Sequence, residues 1–276
     1  MLIRAVGLSS RGSRQENEDY YCIGHRVGQG LLYSTECDCD SQAFRDYGLL
    51  AAVADGIGGY AGGAYASKSA LVALQHQLYG EKRSGCSKEE LAECMRRYLA
   101  ATQSRLLKAL SEKPGFSRAG TTIAGIVLMP PDVLVVFHVG DSRVLRASGG
   151  FVRALTVDHT VLGQDIASGR VSEREAARNP ELLRLTRALG AGGRCEVELG
   201  AEKSWAPGDR FFICTDGFHG VGRGLPAGAI RESLALGQES VELVKRLVTQ
   251  SIAFDGRDNS TLVVVDTGDG GEDNGR

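Results

Sequence analysis

Three apolar runs in this chain climb into an aspartate and then stop. "LLAAVAD" ends on Asp55, "VLVVFHVGD" on Asp141 and "RFFICTD" on Asp216. Asp258 in "GRDNSTLVVV" stands just before another such run begins, and Glu18 and Asp19 in "RQENEDYY" sit beside a strand start. The runs read as buried strands, and a carboxylate at the end of one is penalised by burial. The plain reading is a set of unrelated turns, because Asp-Gly is a favoured hairpin dipeptide and glycine takes positive φ at no steric cost. The alternative is that the ends converge. Several carboxylates would then share one small volume, where like charges raise one another's pKa or a cation neutralises them. The contexts are so alike that the shared volume is the stronger reading.

Oxygen ligands without His or Cys partners select Mg²⁺ or Mn²⁺ rather than zinc. The glycines after Asp55 then have a purpose. Gly56 can offer its carbonyl as a ligand, and Gly58 and Gly59 let the backbone pass close to the ions. Arg14 lies just before the acidic Asn17-Glu18-Asp19 stretch. It is either a solvated surface charge or a guanidinium fork gripping a phosphate whose other oxygens face the metals. Asn259 follows Asp258 and can orient it. Asp141 in "HVGDSR" is also consistent with an ordinary tight turn.

The order of elements argues for an α+β fold. Strands are expected at 2–9, 20–24, 31–35 and 49–55, then helices at about 64–79 and 88–112, the second opened by a Ser87–Glu90 capping box. Strands resume at 121–129, 133–141, 143–148 and 151–156, with turns at Pro130-Pro131 and Gly149-Gly150 that predict antiparallel hairpins. A charged helical excursion follows at about 160–190, with a second capping box at Ser172 and Glu175. Strands at 195–204, 210–216 and 260–267 and helices near 226–236 and 240–253 complete the series. Residues 268–276 read as a disordered acidic tail. Two antiparallel sheets with helices on their outer faces, a four-layer α-β-β-α sandwich, would bury every apolar face. A single domain over 1–267 is expected.

The 276 residues carry a net charge of −2, with 42% hydrophobic residues. That balance gives no electrostatic reason to expect nucleic acid or an anionic membrane. The N-terminal "MLIRAVGLSSRGS" lacks the pattern of a signal peptide, so a cytoplasmic location is expected. The seven cysteines are scattered and odd in number, which suits free thiols. "ECDCD" at 36–40 offers only half a zinc site and reads as a polar loop. His138 reads as a core or edge residue, Thr121 and Thr122 as strand residues, Trp205 with Pro207 as a turn marker, and the long stretch 24–48 as a surface insertion.

"SRQENED" (13–19), "ADGIGGYAGG" (54–63), "AGTTIAGIVL" (119–128), "HVGDSRVL" (138–145), "CTDG" (214–217) and "GRDNSTLVVV" (256–265) together resemble the motif series of the metal-dependent protein phosphatases, the type 2C serine/threonine family, in its bacterial form. The resemblance runs from about residue 5 to residue 267 in the right order. Each motif is weak alone; together they are strong. The resemblance implies two ions bridged by water, with Asp55 bridging both and the Gly56 carbonyl on one. Asp216 and Asp258 would hold the other, while Glu18 and Asp19 act through bound water. It implies Arg14 on the substrate phosphate, Asp141 at a third, weaker metal site, and a flap at about 160–190. The chemistry implied is in-line attack of a metal-bridged hydroxide on phosphoserine or phosphothreonine, opposing a Ser/Thr kinase, with no Cys or His nucleophile. One departure is Ile57, which stands where animal members carry a histidine proposed as general acid, so the leaving-group proton must come from a metal-bound water or elsewhere. Two alternatives stay open: a phosphatase of a small phosphorylated metabolite, and a catalytically silent binding module on the same fold.

Overall fold

Residues 49–54 show why the chain builds layers. All six are buried, but alternate side chains enter different cores. Ala51 and Val53 pack in a cluster that also holds Ile126, Ile213 and Val263, while Leu50, Ala52 and Ala54 pack with Ala66, Ala70 and Leu74. A strand with a sheet in front and helices behind has no solvated face, so it reads as a continuous apolar run.

The computed structural model describes residues 1–59, 61–172, 175, 180–191, 195–200, 204–221, 224–235 and 237–268. One six-stranded antiparallel sheet contains β1 (Leu2–Ser10), β4 (Tyr33–Asp38), β10 (Arg143–Ser148), β11 (Phe151–Ala154), β13 (Arg210–Cys214) and β14 (Ser260–Asp266), in the order β11-β10-β13-β14-β1-β4. The other contains β2 (Tyr20–Ile23), β3 (Arg26–Gly28), β5 (Leu49–Ala54), β8 (Ile123–Met129), β9 (Val133–Val139) and β12 (Glu198–Leu199), in the order β12-β9-β8-β5-β2-β3. A short ribbon pairs β6 (Gly56–Ile57) with β7 (Gly120–Thr121).

Helices α1 (Gln42–Tyr47), α2 (Ala61–Tyr79), α3 (Lys88–Ser111) and α4 (Gly163–Ala167) precede α5 (Asp216–His219), α6 (Ala227–Ala235) and α7 (Ser240–Phe254). Helices α2 and α3 cover the second sheet through Leu71, Leu74, Leu91 and Leu99, and α7 covers the first through Leu243, Val244 and Leu247. The expected α+β sandwich is the fold observed. The Ser87–Glu90 capping box is formed, with the Glu90 N–H donating to Ser87 Oγ at 3.2 Å and the Ser87 N–H to Glu90 Oε2 at 2.7 Å.

The 24–48 stretch corrects the surface-insertion reading. β4 pairs with β1 over six register positions, from Leu2↔Asp38 to Gly7↔Tyr33. Phe44 on α1 is 1% exposed and sits in the core between the sheets. Asp46 accepts from Ser84 and Gln42 and pairs with Lys82 at 2.8 Å, and Lys82 first of all holds its carboxyl down at about 2. The stretch is therefore an edge strand and a core plug latched to the α2–α3 connection. Cys37 lies on β4, and Cys37 and Cys39 pack against the inter-sheet core as free thiols, so "ECDCD" is not the polar loop expected.

Two other expectations shift. In the 160–190 excursion the described residues hold α4, a helical position at Glu175 and a 3₁₀ turn at Pro180–Leu183, and the rest of the expected helix, at 173–174 and 176–179, lies outside the described residues. Its Ser172–Glu175 capping box is formed, with bonds of 3.0 and 3.2 Å. Of the strand expected at 195–204, the described residues form Glu198–Leu199 and an isolated bridge from Ser204 to Val133, and 201–203 lie outside the described residues. Trp205 is more than a turn marker: it is 4% exposed in the inter-sheet core and donates from Nε1 to the Met129 carbonyl at 3.1 Å. The expected acidic tail lies outside the described residues beyond Gly268.

Candidate active site

Antiparallel register carries the acids to one end of the sandwich. Tyr20 pairs with Ala54, so Asp19 and Asp55 leave the second sheet side by side. Val53 pairs with Ala124 and Ile123 with Val139, which brings the end of β9, and Asp141 after it, to the same edge. In the facing sheet Cys214 pairs with Leu262, placing Asp216 beyond one strand and Asp258 before its neighbour. The chain crosses between sheets at Gly140-Asp141-Ser142. Gly140 takes φ of 106°, and a Cβ there would lie 2.6 Å from the Thr122 side chain, so the crossing needs glycine. Asp141 is thus placed by a sheet-to-sheet crossover and not by a hairpin turn.

Glu18, Asp55, Asp141, Asp216 and Asp258 line a cleft of about 800 Å³ together with Arg14, Ile57, Thr160 and residues 183–185, while Asp19 is fully buried and does not reach its lining. Neighbouring backbone and hydroxyl groups hold them in place. The Asp55 N–H donates to Thr122 Oγ1 at 3.1 Å, and its carbonyl accepts from the Thr122 N–H at 2.9 Å and Thr121 Oγ1 at 2.8 Å. Asp19 Oδ2 accepts from Thr215 Oγ1 at 2.8 Å and Thr261 Oγ1 at 2.7 Å. The Glu18 N–H donates to Asn259 Oδ1 at 2.8 Å, and its carbonyl accepts from Ser67 Oγ at 2.5 Å. Asp258 Oδ1 accepts from the Asn259 N–H at 2.9 Å.

The Asn259 side chain departs from the expected role. It makes no hydrogen bond to the Asp258 carboxylate; its amide donates instead to the carbonyls of Arg11 at 2.9 Å and Glu16 at 3.0 Å. It holds the loop that carries Glu18, and only its backbone serves Asp258. Arg14 leans on Asp258, with Nη2 at 2.9 Å from Oδ1 and Nε donating to the Arg257 carbonyl at 3.1 Å; its side chain is 55% exposed beside the cleft.

The electrostatics are those of crowded carboxylates. Loss of hydration, then the negative charges of Asp19, Asp216, Asp141 and Asp258, hold the Asp55 carboxyl well above the usual range. Asp141 is held up likewise, by loss of hydration and then by Asp216 and Asp158. Burial pushes Asp19 up to about 7, even though the Thr261 and Thr215 hydroxyls oppose it.

Divalent cations fit these donors. Asp19 Oδ1 is buried without a hydrogen-bond partner, within reach of the charges of Asp55, Asp216 and Asp258, and the lining of the neighbouring cleft holds no His or Cys. The backbone is also cut close. A Cβ on Gly63 would fall 1.8 Å from Glu18 Oε2, and one on Gly56 would fall 2.4 Å from the Gly63 carbonyl. Glycines thus make room for Glu18 and for the Gly56 carbonyl between them.

The residues missed from sequence are the hydroxyls: Thr121 and Thr122, read as plain strand residues, and Thr215, Thr261 and Ser67. Thr215 and Thr122 had a signal, since one precedes Asp216 directly and the other sits in the doubled "TT" of an apolar strand. Thr261 and Ser67 had none. Cys214 is fully buried, and burial pushes its thiol up to about 12, which suits packing and not catalysis.

Comparison with known proteins agrees with this geometry. The family model described as protein phosphatase 2C matches residues 35–255. The serine/threonine phosphatase stp of Listeria monocytogenes is 26% identical over 222 residues, covering 80% of this chain and 86% of that protein. The serine/threonine protein phosphatase PstP of Mycobacterium tuberculosis is 31% identical over 220 residues, covering 80% of this chain and 40% of that longer protein. The crystal structure of the PstP catalytic domain with two manganese ions superposes with a TM-score of 0.73 at 26% identity, covering 96% of this chain and 99% of that one. The matched span of the family model leaves out Arg14, Glu18, Asp19 and Asp258, yet the fold returns Arg14, Glu18 and Asp258 to the Asp55 cleft and sets the buried charge of Asp19 against Asp55. With the motif order, the sandwich and the acid cluster in agreement, the chain belongs to the protein phosphatase 2C family.

Proposed function

We propose that this chain is a metal-dependent serine/threonine protein phosphatase, a single domain over 1–267 that hydrolyses phosphoserine and phosphothreonine in proteins. The observation that carries the reading is the buried, unpartnered Asp19 Oδ1 beside Asp55, Asp216 and Asp258, a donor set that is incomplete without cations. Asp55 and the Gly56 carbonyl, with Asp216 and Asp258, would hold two Mn²⁺ or Mg²⁺ ions; Glu18 and Asp19 would hold their waters; Asp141 would hold a third, weaker ion. When bound, the ions lower the pKa of water and offset the charge on the phosphoryl oxygens.

The chain's own residues supply the rest. Arg14, half exposed at the cleft mouth, orients and neutralises the phosphate. Thr121 and Thr122 fix the Asp55 backbone, and Asn259 fixes the acidic loop. Ile57 offers no proton, so the leaving group is protonated from water in the open cleft. No helix among the described residues is long and apolar enough to cross a membrane. We place the enzyme in the cytoplasm, opposing a Ser/Thr kinase on shared protein substrates.

Phosphoserine, phosphothreonine and phosphotyrosine peptides, assayed with Mn²⁺ and after removal of metal by chelator, test the reading. Metal-dependent release of phosphate from the first two supports it. Turnover of small phosphorylated metabolites alone would reassign the substrate. No turnover of any phosphoester with Mn²⁺ bound would leave a silent binding module.

A further inference from the structure

Outside the acid cluster, one group of side chains is unexplained by the chemistry above. His138 on β9, His159 and Glu198 on β12 bring ligand-type atoms within 4.8 Å of one another, and the two imidazoles stack with centroids 4.3 Å apart. The chemistry is that of a transition-metal site, but two contacts speak against one. His159 Nδ1 accepts the Gly140 N–H at 3.2 Å, so the neutral ring carries its proton on Nε2 and donates it to Glu198 Oε2 at 3.0 Å. Arg187 Nη1 stands 3.3 Å from that Nε2 and 3.5 Å from Glu198 Oε2, where a cation would sit.

The bonds of His159 describe a clamp. Its N–H donates to the Gly140 carbonyl at 2.9 Å, while its ring accepts from the Gly140 N–H; both groups of the residue before Asp141 are thereby taken by one histidine. Its carbonyl accepts the Thr186 N–H at 2.8 Å, and the next residue, Thr160, bridges to Leu185. Residues 183–185 line the cleft. His138, paired in register with Glu198, contacts the Val157 carbonyl through Nε2 at 2.8 Å and so steadies the loop leading into His159.

We propose that His159 is a positioning residue that ties segment 183–187, whose residues 183–185 line the cleft, to the Asp141 crossover, with Glu198 as the anchor that fixes its tautomer. The inference rests on the reading of Asp141 as ligand to an outer ion. A loosened Gly140 would let Asp141 drift, weakening that ion while the Asp55, Asp216 and Asp258 ligands stay in place. Asn at 159 returns an acceptor near the Nδ1 position; Phe fills the same space with none.

The test is Mn²⁺ activation of phosphopeptide hydrolysis by wild type, Asp141→Ala, His159→Phe, His159→Asn and the Asp141→Ala/His159→Phe double variant, with calorimetric counting of tight ions. We expect His159→Phe to raise the Mn²⁺ concentration for half-maximal activity by about tenfold, in the range of losses seen for residues that orient metal ligands. Two tight ions should remain, and His159→Asn should lie near wild type. The double variant should shift the curve no further than Asp141→Ala alone. Should His159→Phe fail to fold, Glu198→Ala, on a half-exposed side chain, should give the same shift at smaller size.

An unshifted curve in His159→Phe or Glu198→Ala, with Asp141→Ala shifted, overturns the clamp and leaves the outer ion standing. An Asn variant as impaired as Phe, or additive shifts in the double variant, also overturns it. An unshifted Asp141→Ala overturns the outer ion and the clamp together. A third tight ion in wild type that Glu198→Ala loses would assign the cluster to metal and overturn it as well.

Discussion

Asn259 Oδ1 accepts the Glu18 N–H at 2.8 Å, joining two acidic motifs 241 positions apart in the chain. The same amide donates to two carbonyls of the 11–16 loop, so a single buried side chain shapes one wall of the cleft. Asn259→Ala would remove the side chain that serves three part-buried backbone groups. A loss of about 1–3 kcal/mol of stability follows from leaving such groups unsatisfied. Activity should fall more than ten-fold at low Mn²⁺ and recover in part at high Mn²⁺, because the Glu18 loop is displaced and the Asp55 ligands are not. Thermal melts and an Mn²⁺ activation curve check this; unchanged melting and activation would mean that the three bonds are replaced by water at no cost.

Asp55→Asn and Asp216→Asn should each lose activity by orders of magnitude while remaining folded. The crowded charges add a second, opposite expectation. In the metal-free protein each substitution removes a carboxylate that its neighbours repel, so the melting temperature should hold or rise. Mn²⁺ should stabilise wild type by mass action and stabilise these variants far less. Scanning calorimetry with and without Mn²⁺ reads both effects. A metal-free variant several degrees less stable than wild type would show that Asp55 is held by native contacts and not by a missing cation.

Arg14→Ala should raise KM for an aryl phosphate more than it alters Mn²⁺ affinity, because the guanidinium stands at the exposed mouth of the cleft. Its contact with Asp258 sets a limit on that separation: a shift in metal affinity as large as the shift in KM would make Arg14 a support for Asp258 and not a phosphate grip. Steady-state kinetics beside metal titration distinguishes the two.

Phe44→Ala tests the 24–48 stretch. A surface insertion would tolerate the change. A plug 1% exposed between the sheets should cost about 3–5 kcal/mol, by lost transfer energy and the cavity left behind. Chemical denaturation gives the number, and a loss below 1 kcal/mol would return the stretch to the surface reading.

Alkylation of the partly buried cysteines should leave turnover intact, since no thiol among the described residues lines the acid cleft. Inactivation by a small alkylator that inorganic phosphate blocks would revive a thiol mechanism.

What the sequence determined by itself were the sandwich and the acids. The apolar runs at 49–54, 123–129 and 262–265 can be buried only between a sheet and a helix layer, and antiparallel pairing then sends Asp19, Asp55, Asp141, Asp216 and Asp258 to one end. Local pattern carries that information, because strand period and turn chemistry act over a few residues. Tertiary structure alone decided who holds the acids. Thr261 reaches Asp19 from 242 positions away, and Asn259 serves the Glu18 loop instead of its own neighbour. A hydroxyl or an amide in a strand looks the same in sequence whether it faces solvent, a backbone or a carboxylate. The same holds for Phe44, whose burial depends on β4 joining the sheet edge, and for His159, whose bonds exist only once β9, β12 and the 183–187 segment meet. These contacts join residues far apart in sequence, so the physics that selects them is the packing of the finished fold.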